Sequence, residues 1–189
     1  MMRIRQVSWW VFFVAVAAAV VSAVGLAWFQ RWDGALRFTA ITVVLVLTRR
    51  AQVPIPFVAA FAVLAQLAMW GSVQHWYRQI PHFDTVVHVV TPGSLAAVSY
   101  FLLADARLLP DPWQQETRTR RWAPVVWVAL IGVTAAVVWE YYEWVVEQIS
   151  PAGMHVGYTD TIVDLFAGMC GSLVAGALVL HWTRRRSQR

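Results

Sequence analysis

Six apolar runs separated by short polar segments set the pattern of the chain, at about 8–29, 32–48, 54–74, 84–104, 123–146 and 161–182. Several approach the roughly 20 apolar residues that carry a helix across a bilayer. The expected fold is therefore an all-α polytopic bundle of six transmembrane helices, one integral membrane domain over 1–189. The first run follows Arg3 and Arg5 and ends in Trp28 and Phe29, rings suited to the membrane interface. Val21-Ser22-Ala23 has the look of a signal-peptidase site, but the apolar run continues past it, so a retained helix is expected. The second run is short, and Arg37 within it must reach back to its outer end. The third begins after Arg49 and Arg50 with prolines suited to a helix entry.

Composition supports this pattern: 59% of the residues are hydrophobic and 13% charged, against roughly 25% charged in soluble domains. All fifteen basic residues are arginine, twelve residues are Trp, and the net charge is +5. Such a charge would suit nucleic acid, but the arginines lie in short inter-helix segments and at the termini, where membrane orientation accounts for them. Nucleic acid is excluded as a partner, and membrane lipids are expected. With the N-terminus inside, twelve arginines (3, 5, 49, 50, 107, 118, 120, 121, 184, 185, 186 and 189) fall on the cytoplasmic side. Only Arg31, Arg37 and Arg78 fall outside. Six helices with both ends cytoplasmic satisfy the positive-inside rule, and a failure of the second run to cross would break it. The single Cys170 can form no intrachain disulfide and reads as a small core residue. The cytoplasmic segment 105–122 holds the turn signal Leu109-Pro110-Asp111-Pro112-Trp113 and, beside the membrane, Arg118, Arg120 and Arg121, which fit topology anchoring.

The candidate chemistry lies at helix ends on the outer side. Asp84, His88 and Thr91 share one narrow helical stripe, and Pro92-Gly93 follow. Proline removes a backbone hydrogen bond and clashes with the preceding turn, so the helix is expected to kink or open about 12 Å below Asp84. Glu140, Glu143 and Glu147 share a face of the fifth run, with Glu140 roughly 9 Å below its outer end, where a carboxylate needs a partner. Asp160 and Asp164 open the sixth run on the face that continues into Ala167, Gly168 and Gly171. Beside it, Gly168, Ser172 and Gly176 form a small-residue track for close helix packing. Structural roles compete at several positions. Asp84 and Asp160 stand where N-caps would, Thr161 with Asp164 has capping-box spacing, and Glu143 and Glu147 can reach the interface. His75 and His82 suit loops, and His181 suits the inner interface. His88 and Glu140 have no comparable explanation, and an intramembrane ionisable group is a functional candidate by default. With Asp84, Glu143, Asp160 and Asp164 they gather five carboxylates and an imidazole, with no arginine on the same stripes. Like charges so close cannot all remain ionised, so protons or a cation must neutralise them. Imidazole with carboxylates suits Zn, Mn or Fe better than Ca.

Three motifs carry a resemblance: His82-Phe83-Asp84-Thr85-Val86-Val87-His88, Trp139-Glu140-Tyr141-Tyr142-Glu143-Trp144, and Gly157-Tyr158-Thr159-Asp160-Thr161-Ile162-Val163-Asp164-Leu165. In this order, over about residues 49–180, the chain resembles the YjdF-like bacterial inner-membrane proteins, a family without an assigned activity, and is loosely similar to VanZ-like proteins, linked to glycopeptide resistance. The resemblance implies a polytopic helical protein of the bacterial cytoplasmic membrane in which these motifs matter. It supplies no reaction.

The leading functional expectation is a metal-dependent enzyme of the outer leaflet, hydrolysing or transferring a group on a lipid or envelope precursor. Its ligands would be His88, Glu140, Asp164 and Asp160, with Asp84 or Glu143 as general base to metal-bound water. The segment 148–158, with Pro151, Gly153, His155 and Gly157, would lid the cavity. Two alternatives stand beside it. One is an ion- or proton-coupled transporter of small molecules, which the apolar inner halves of the helices disfavour. The other is a noncatalytic envelope or resistance factor whose acids hold the bundle together. A second copy of the chain is a further partner to be considered.

Overall fold

The computed structural model describes residues 2–49, 51–109, 113, 118–149 and 157–187. Seven helices appear among them: α1 Met2–Trp28, α2 Trp32–Thr48, α3 Ile55–Val73, α4 Trp76–Gln79, α5 Phe83–Asp105, α6 Arg118–Ile149 and α7 Tyr158–Ser187. The described residues hold no strand, so the all-α reading stands. Segments of five helices are long and apolar enough to cross a membrane: Arg3–Trp28, Ile55–Val73, Phe83–Asp105, Arg121–Ile149 and Tyr158–Arg185. Helix α2 has 17 residues, about 26 Å at 1.5 Å per residue, shorter than the ~30 Å hydrocarbon core. The short α4 has no apolar run of its own, so hydrophobic patterning gives no sign of it. The turn signal around Pro110 and most of the expected lid, 150–156, lie outside the described residues.

The chain divides into two compact units, Met1–Phe83 and Asp84–Arg189. In the first, Ala19 and Leu26 of α1, Ala35 and Phe38 of α2 and Val73 of α3 form a buried core. Helix α1 runs unbroken through Val21-Ser22-Ala23. It ends in a Schellman arrangement, Arg31 N–H to Leu26 O at 2.8 Å and Gln30 N–H to Ala27 O at 3.0 Å, with Gln30 at φ 57°. Polar groups within this unit tie its helices together. Gln66 donates to Ala15 O at 2.9 Å and to Ala62 O at 3.1 Å, linking α3 to α1. The Arg31 guanidinium donates to Val73 O at 2.8 Å, which places a cation on the carbonyl end of α3. Arg37 engages Ser72 in that same turn and lies 4.0 Å from Asp33, so its charge is met inside the unit. Arg49 lies 4.2 Å over the Trp9 ring. Phe83 packs edge-on against Trp76 and Tyr77, and Gly71 leaves room for its ring on α3.

In the second unit, α5 and α7 run parallel and α6 antiparallel to them, as the order of contacts shows. Ala136, Gly132 and Val125 of α6 face Gly168, Ser172 and Gly176 of α7 in turn. Gly93 of α5 lies against the Gly171 backbone, where an added Cβ would come within 2.7 Å of Gly171 O. A Cβ on Gly171 would collide with the carbonyl of Val89. The small-residue track read from the sequence is thus where α7 meets its neighbours at backbone distance. The expected opening at Pro92 does not occur, for α5 is helical through it. The carbonyl that Pro92 cannot serve, four residues back, belongs to His88, and it faces Gly168. Gly168 of α7 packs against this turn, near the Pro92 ring as well.

Two capping expectations are corrected. Helix α7 begins at Tyr158, with Thr161 N–H bonded to Gly157 O at 2.9 Å, so Asp160 lies inside the first turn and is no N-cap. Asp84 likewise follows Phe83 inside the first turn of α5. Both acids still stand at positive helix ends, which favours them. Helix α6 begins five residues before the expected 123, with Pro124 internal.

The Gly171 contact yields a direct test. Gly171→Ala must push α5 and α7 apart and is expected to destabilise the protein by about 1–3 kcal/mol or more, as overpacking does. Gly25, with open space around it, is the control: Gly25→Ala should be neutral or stabilising by up to about 1 kcal/mol. Thermal unfolding in detergent separates the two, and equal effects would refute the contact.

Candidate metal centre

Three helix ends converge on one cluster: the starts of α5 and α7 and the last third of α6. Helix α5 supplies Asp84 and, one turn on, His88. Helix α6 supplies Glu140 and Glu143, and α7 supplies Asp164. His88, at 2% exposure, is among the most buried side chains of the protein. Glu140, Glu143 and Asp164 are also buried, whereas the Asp84 side chain is 26% exposed. The cluster therefore has a deep side and one more open edge.

His88 presents its two ring nitrogens to different acids. Nε2 lies 3.3 Å from Asp84 Oδ1 and Nδ1 lies 3.7 Å from Glu140 Oε1. Neither contact is a well-formed hydrogen bond. His88 Nε2, Asp84 Oδ1, Glu140 Oε1 and the neighbouring Thr91 Oγ1 are all buried without a hydrogen-bond partner. Buried polar atoms normally find partners, because leaving one without costs about 1–3 kcal/mol. Four such atoms on neighbouring side chains make the cluster a candidate ligand site.

The ligand atoms fall into two overlapping groups. One atom each from Asp84, His88 and Asp164 lie within 4.8 Å of one another, and so do atoms from His88, Glu140 and Glu143. Separations of this size let a cation of coordination radius about 2.0–2.2 Å bridge the atoms with small adjustments. Among the described residues no arginine forms an ion pair with these acids. Neighbouring side chains aim the carboxylates. Trp139 donates its indole N–H to Glu143 Oε1 at 2.8 Å, one helical turn away, and the Thr161 hydroxyl donates to the Glu140 carboxylate. Such partners fix the direction of a ligating group.

The outcome for the sequence-derived residues is mixed. Asp84, His88, Glu140, Glu143 and Asp164 meet as expected. Asp160, expected as a ligand, stands outside both groups, although its charge acts on Glu140 and Asp164. One turn before Asp164, it lies on the rim. Glu147 also lies outside both groups and is half-buried. His75 and His82 are exposed with left-handed backbone, φ 61° each, and His181 is exposed on α7. Trp139 and Thr161 were not anticipated as partners of the acids. The four-residue spacing of Trp139 and Glu143 was visible, but a tryptophan near a helix end reads first as an interfacial ring.

The long apolar helices suit a membrane protein, and a family model for such proteins matches residues 5–186. The chain belongs to the family described as Predicted membrane protein (DUF2238). No curated protein and no solved structure matches it. The DUF2238 match takes in both units, from the first turn of α1 to the end of α7, so the cluster is a feature of a chain that is a family member throughout.

If the acids only held the bundle together, removing one would loosen it. If they repel one another in a dry site, removing one charge should relieve it. With chelator present, Glu140→Gln is therefore expected to raise the melting temperature by about 2–4 °C, the shift of ~1 kcal/mol in a chain of this size. A lowered melting temperature would favour the purely structural role.

Proposed function

We propose that this protein is a six-helix protein of the bacterial cytoplasmic membrane, with both ends cytoplasmic, that holds a divalent cation at the His88 cluster and uses it on a lipid or envelope-precursor substrate at the outer leaflet. The orientation rests on the arginine distribution, which requires α2 to cross despite its length. The cation reading rests above all on the four unpartnered buried atoms around His88. The donor set, one imidazole and four carboxylates, favours Zn, Mn or Fe.

A bound cation would polarise a phosphoryl or carbonyl oxygen and lower the pKa of its water toward neutrality. Within the chain, His88 is the nitrogen ligand, and the carboxylates nearest the cation complete its coordination. A carboxylate left free of the cation, Asp84 at the open edge or Glu143 held by Trp139, would serve as general base toward water. Tyr141, Tyr142 and Trp144 beside the site are exposed on α6, as side chains at a lipid headgroup boundary would be.

Transport is the weaker alternative for a structural reason. Directly beyond the cluster, α5 and α7 meet backbone to backbone at Val89, Gly93 and Gly171, and Gly132 of α6 lies against Ser172. A passage through this unit would have to part these contacts. A site open at one end and closed at the other suits binding and catalysis.

Elemental analysis of protein purified without chelator should find a stoichiometric divalent metal in wild type and its loss in His88→Ala. Trp139→Phe keeps all the proposed ligands but removes the N–H that aims Glu143, so it should fold normally and bind metal about 10–100-fold more weakly. Metal-free wild type, or metal binding indifferent to His88→Ala, would end this reading.

A further inference from the structure

The cluster's acids do not surround His88 evenly, and this bears on how many cations it holds. Asp84 and Asp164 form a group with His88, and Glu140 and Glu143 form another. Asp84 approaches Nε2 and Glu140 approaches Nδ1. The two nitrogens lie on different edges of the planar ring, and their lone pairs diverge, so one cation cannot use both. A single cation would engage one acid pair and leave the other beside an imidazole nitrogen, 3.3 Å or 3.7 Å away, with no well-formed hydrogen bond.

We propose that the site holds two divalent cations, one on each nitrogen of His88: the first with Asp84 and Asp164, the second with Glu140 and Glu143. This rests on the metal reading above and revises one part of it: Asp84 and Glu143 become ligands, so neither is left as general base. Three observations carry it. The unpartnered atoms lie on both sides of the ring, His88 Nε2 and Asp84 Oδ1 on one and Glu140 Oε1 on the other, and His88 and Glu140 are each more than nine-tenths buried. Each acid pair combines residues whose oxygens already lie within 4.8 Å of one another and of a ring nitrogen. The charges also come closer to balance. One dication against the four carboxylates of the two groups leaves two negative charges in a largely buried site. Two dications cancel the carboxylates, at the cost of one proton. A neutral imidazole has only one free nitrogen lone pair, so the second metal–nitrogen bond replaces the remaining N–H bond and that proton leaves to solvent. The bridging ring then carries one negative charge, which the two cations and the N-terminal ends of α5 and α7 face.

The arrangement implies a substrate class. Two cations held on one ligand set can engage two oxygens of one group, which suits a phosphate or diphosphate ester better than a carboxylic ester. Within the proposed function, the substrate is then a phosphorylated lipid or lipid-linked precursor.

The test uses the full-length purified protein and two metal ions as probes. Zn2+ titration by calorimetry, checked by elemental analysis, should saturate at two equivalents per chain. Mn2+ loading should give a broadened, spin-coupled paramagnetic resonance spectrum in place of that of an isolated ion. Asp164→Asn and Glu143→Gln, one from each group, should each lose one equivalent and restore the isolated-ion spectrum. Wild type saturating at one equivalent with an isolated-ion spectrum overturns the pair and leaves the single-cation reading standing. No tight equivalent overturns both. The wild-type measurements decide by themselves should a variant fail to fold.

Discussion

The contact between the Val89 carbonyl and the Cα of Gly171 governs the second unit. Because no side chain intervenes, α5 and α7 approach at backbone distance, and Gly93 against Gly171 O repeats the contact one turn further on. Helices this close cannot splay within the next turn or two, so the residues just before the contact, His88 on α5 and Asp164 on α7, are brought together. Gly168 against Ala136 and Gly132 against Ser172 add α6 on the same terms, and Glu140 arrives one turn beyond Ala136. Backbone approach at the glycines thus fixes the positions of ionisable groups one to two turns away. In a membrane, where lipid tails are as apolar as leucine, such packing replaces the hydrophobic effect as the force joining helices.

What the packing brings together is electrostatically unfavourable by itself. Carboxylates facing one another away from water repel, and no described arginine pairs with them. Helix starts at α5 and α7 relieve part of this, since each points a partial positive charge at the cluster. Trp139 and Thr161 relieve another part by hydrogen bonding. The remainder is concentrated on His88, whose imidazole lies between Asp84 and Glu140 without a well-formed bond to either. Rigid packing below and unmet charge above are the two conditions of a preorganised ligand site.

The sequence made much of this readable, and the reasons for the failures are specific. His88 and Glu140 stood out because an ionisable group inside an apolar run has few structural excuses. Helix α2 falls on 32–48 as expected because Arg31 and Arg49 bracket a mostly apolar stretch that only Asp33 and Arg37, near its start, interrupt with charge. The competing cap roles of Asp84 and Asp160 fail because cap chemistry is local while helix starts are not: the helices begin at Phe83 and Tyr158, which no short motif records. The opening at Pro92 was expected from the proline alone. The helix runs through Pro92, and Gly168 of α7, a neighbour far along the chain, packs against that turn. The separation of the acids into two groups was likewise invisible, since helical stripes report which residues share a face and not which edge of an imidazole they reach.

A comparison between the two units argues against reading the cluster as ordinary bundle glue. In the first unit, buried or half-buried polar side chains are matched: Gln66 to two carbonyls, Arg37 to Ser72, Thr48 to Leu45 O at 2.6 Å. Among the described residues, that unit leaves no buried side-chain polar atom without a partner. Its polar residues behave as interhelical ties should, each finding a donor or acceptor within the polypeptide. The same chain, folded under the same constraints, leaves His88, Asp84, Glu140 and Thr91 with unmet atoms around one point. A protein able to satisfy a buried glutamine from two helices has the means to satisfy a histidine, and ties made for stability would have been completed as Gln66 is. Incomplete coordination by the chain is what a candidate ligand site would show.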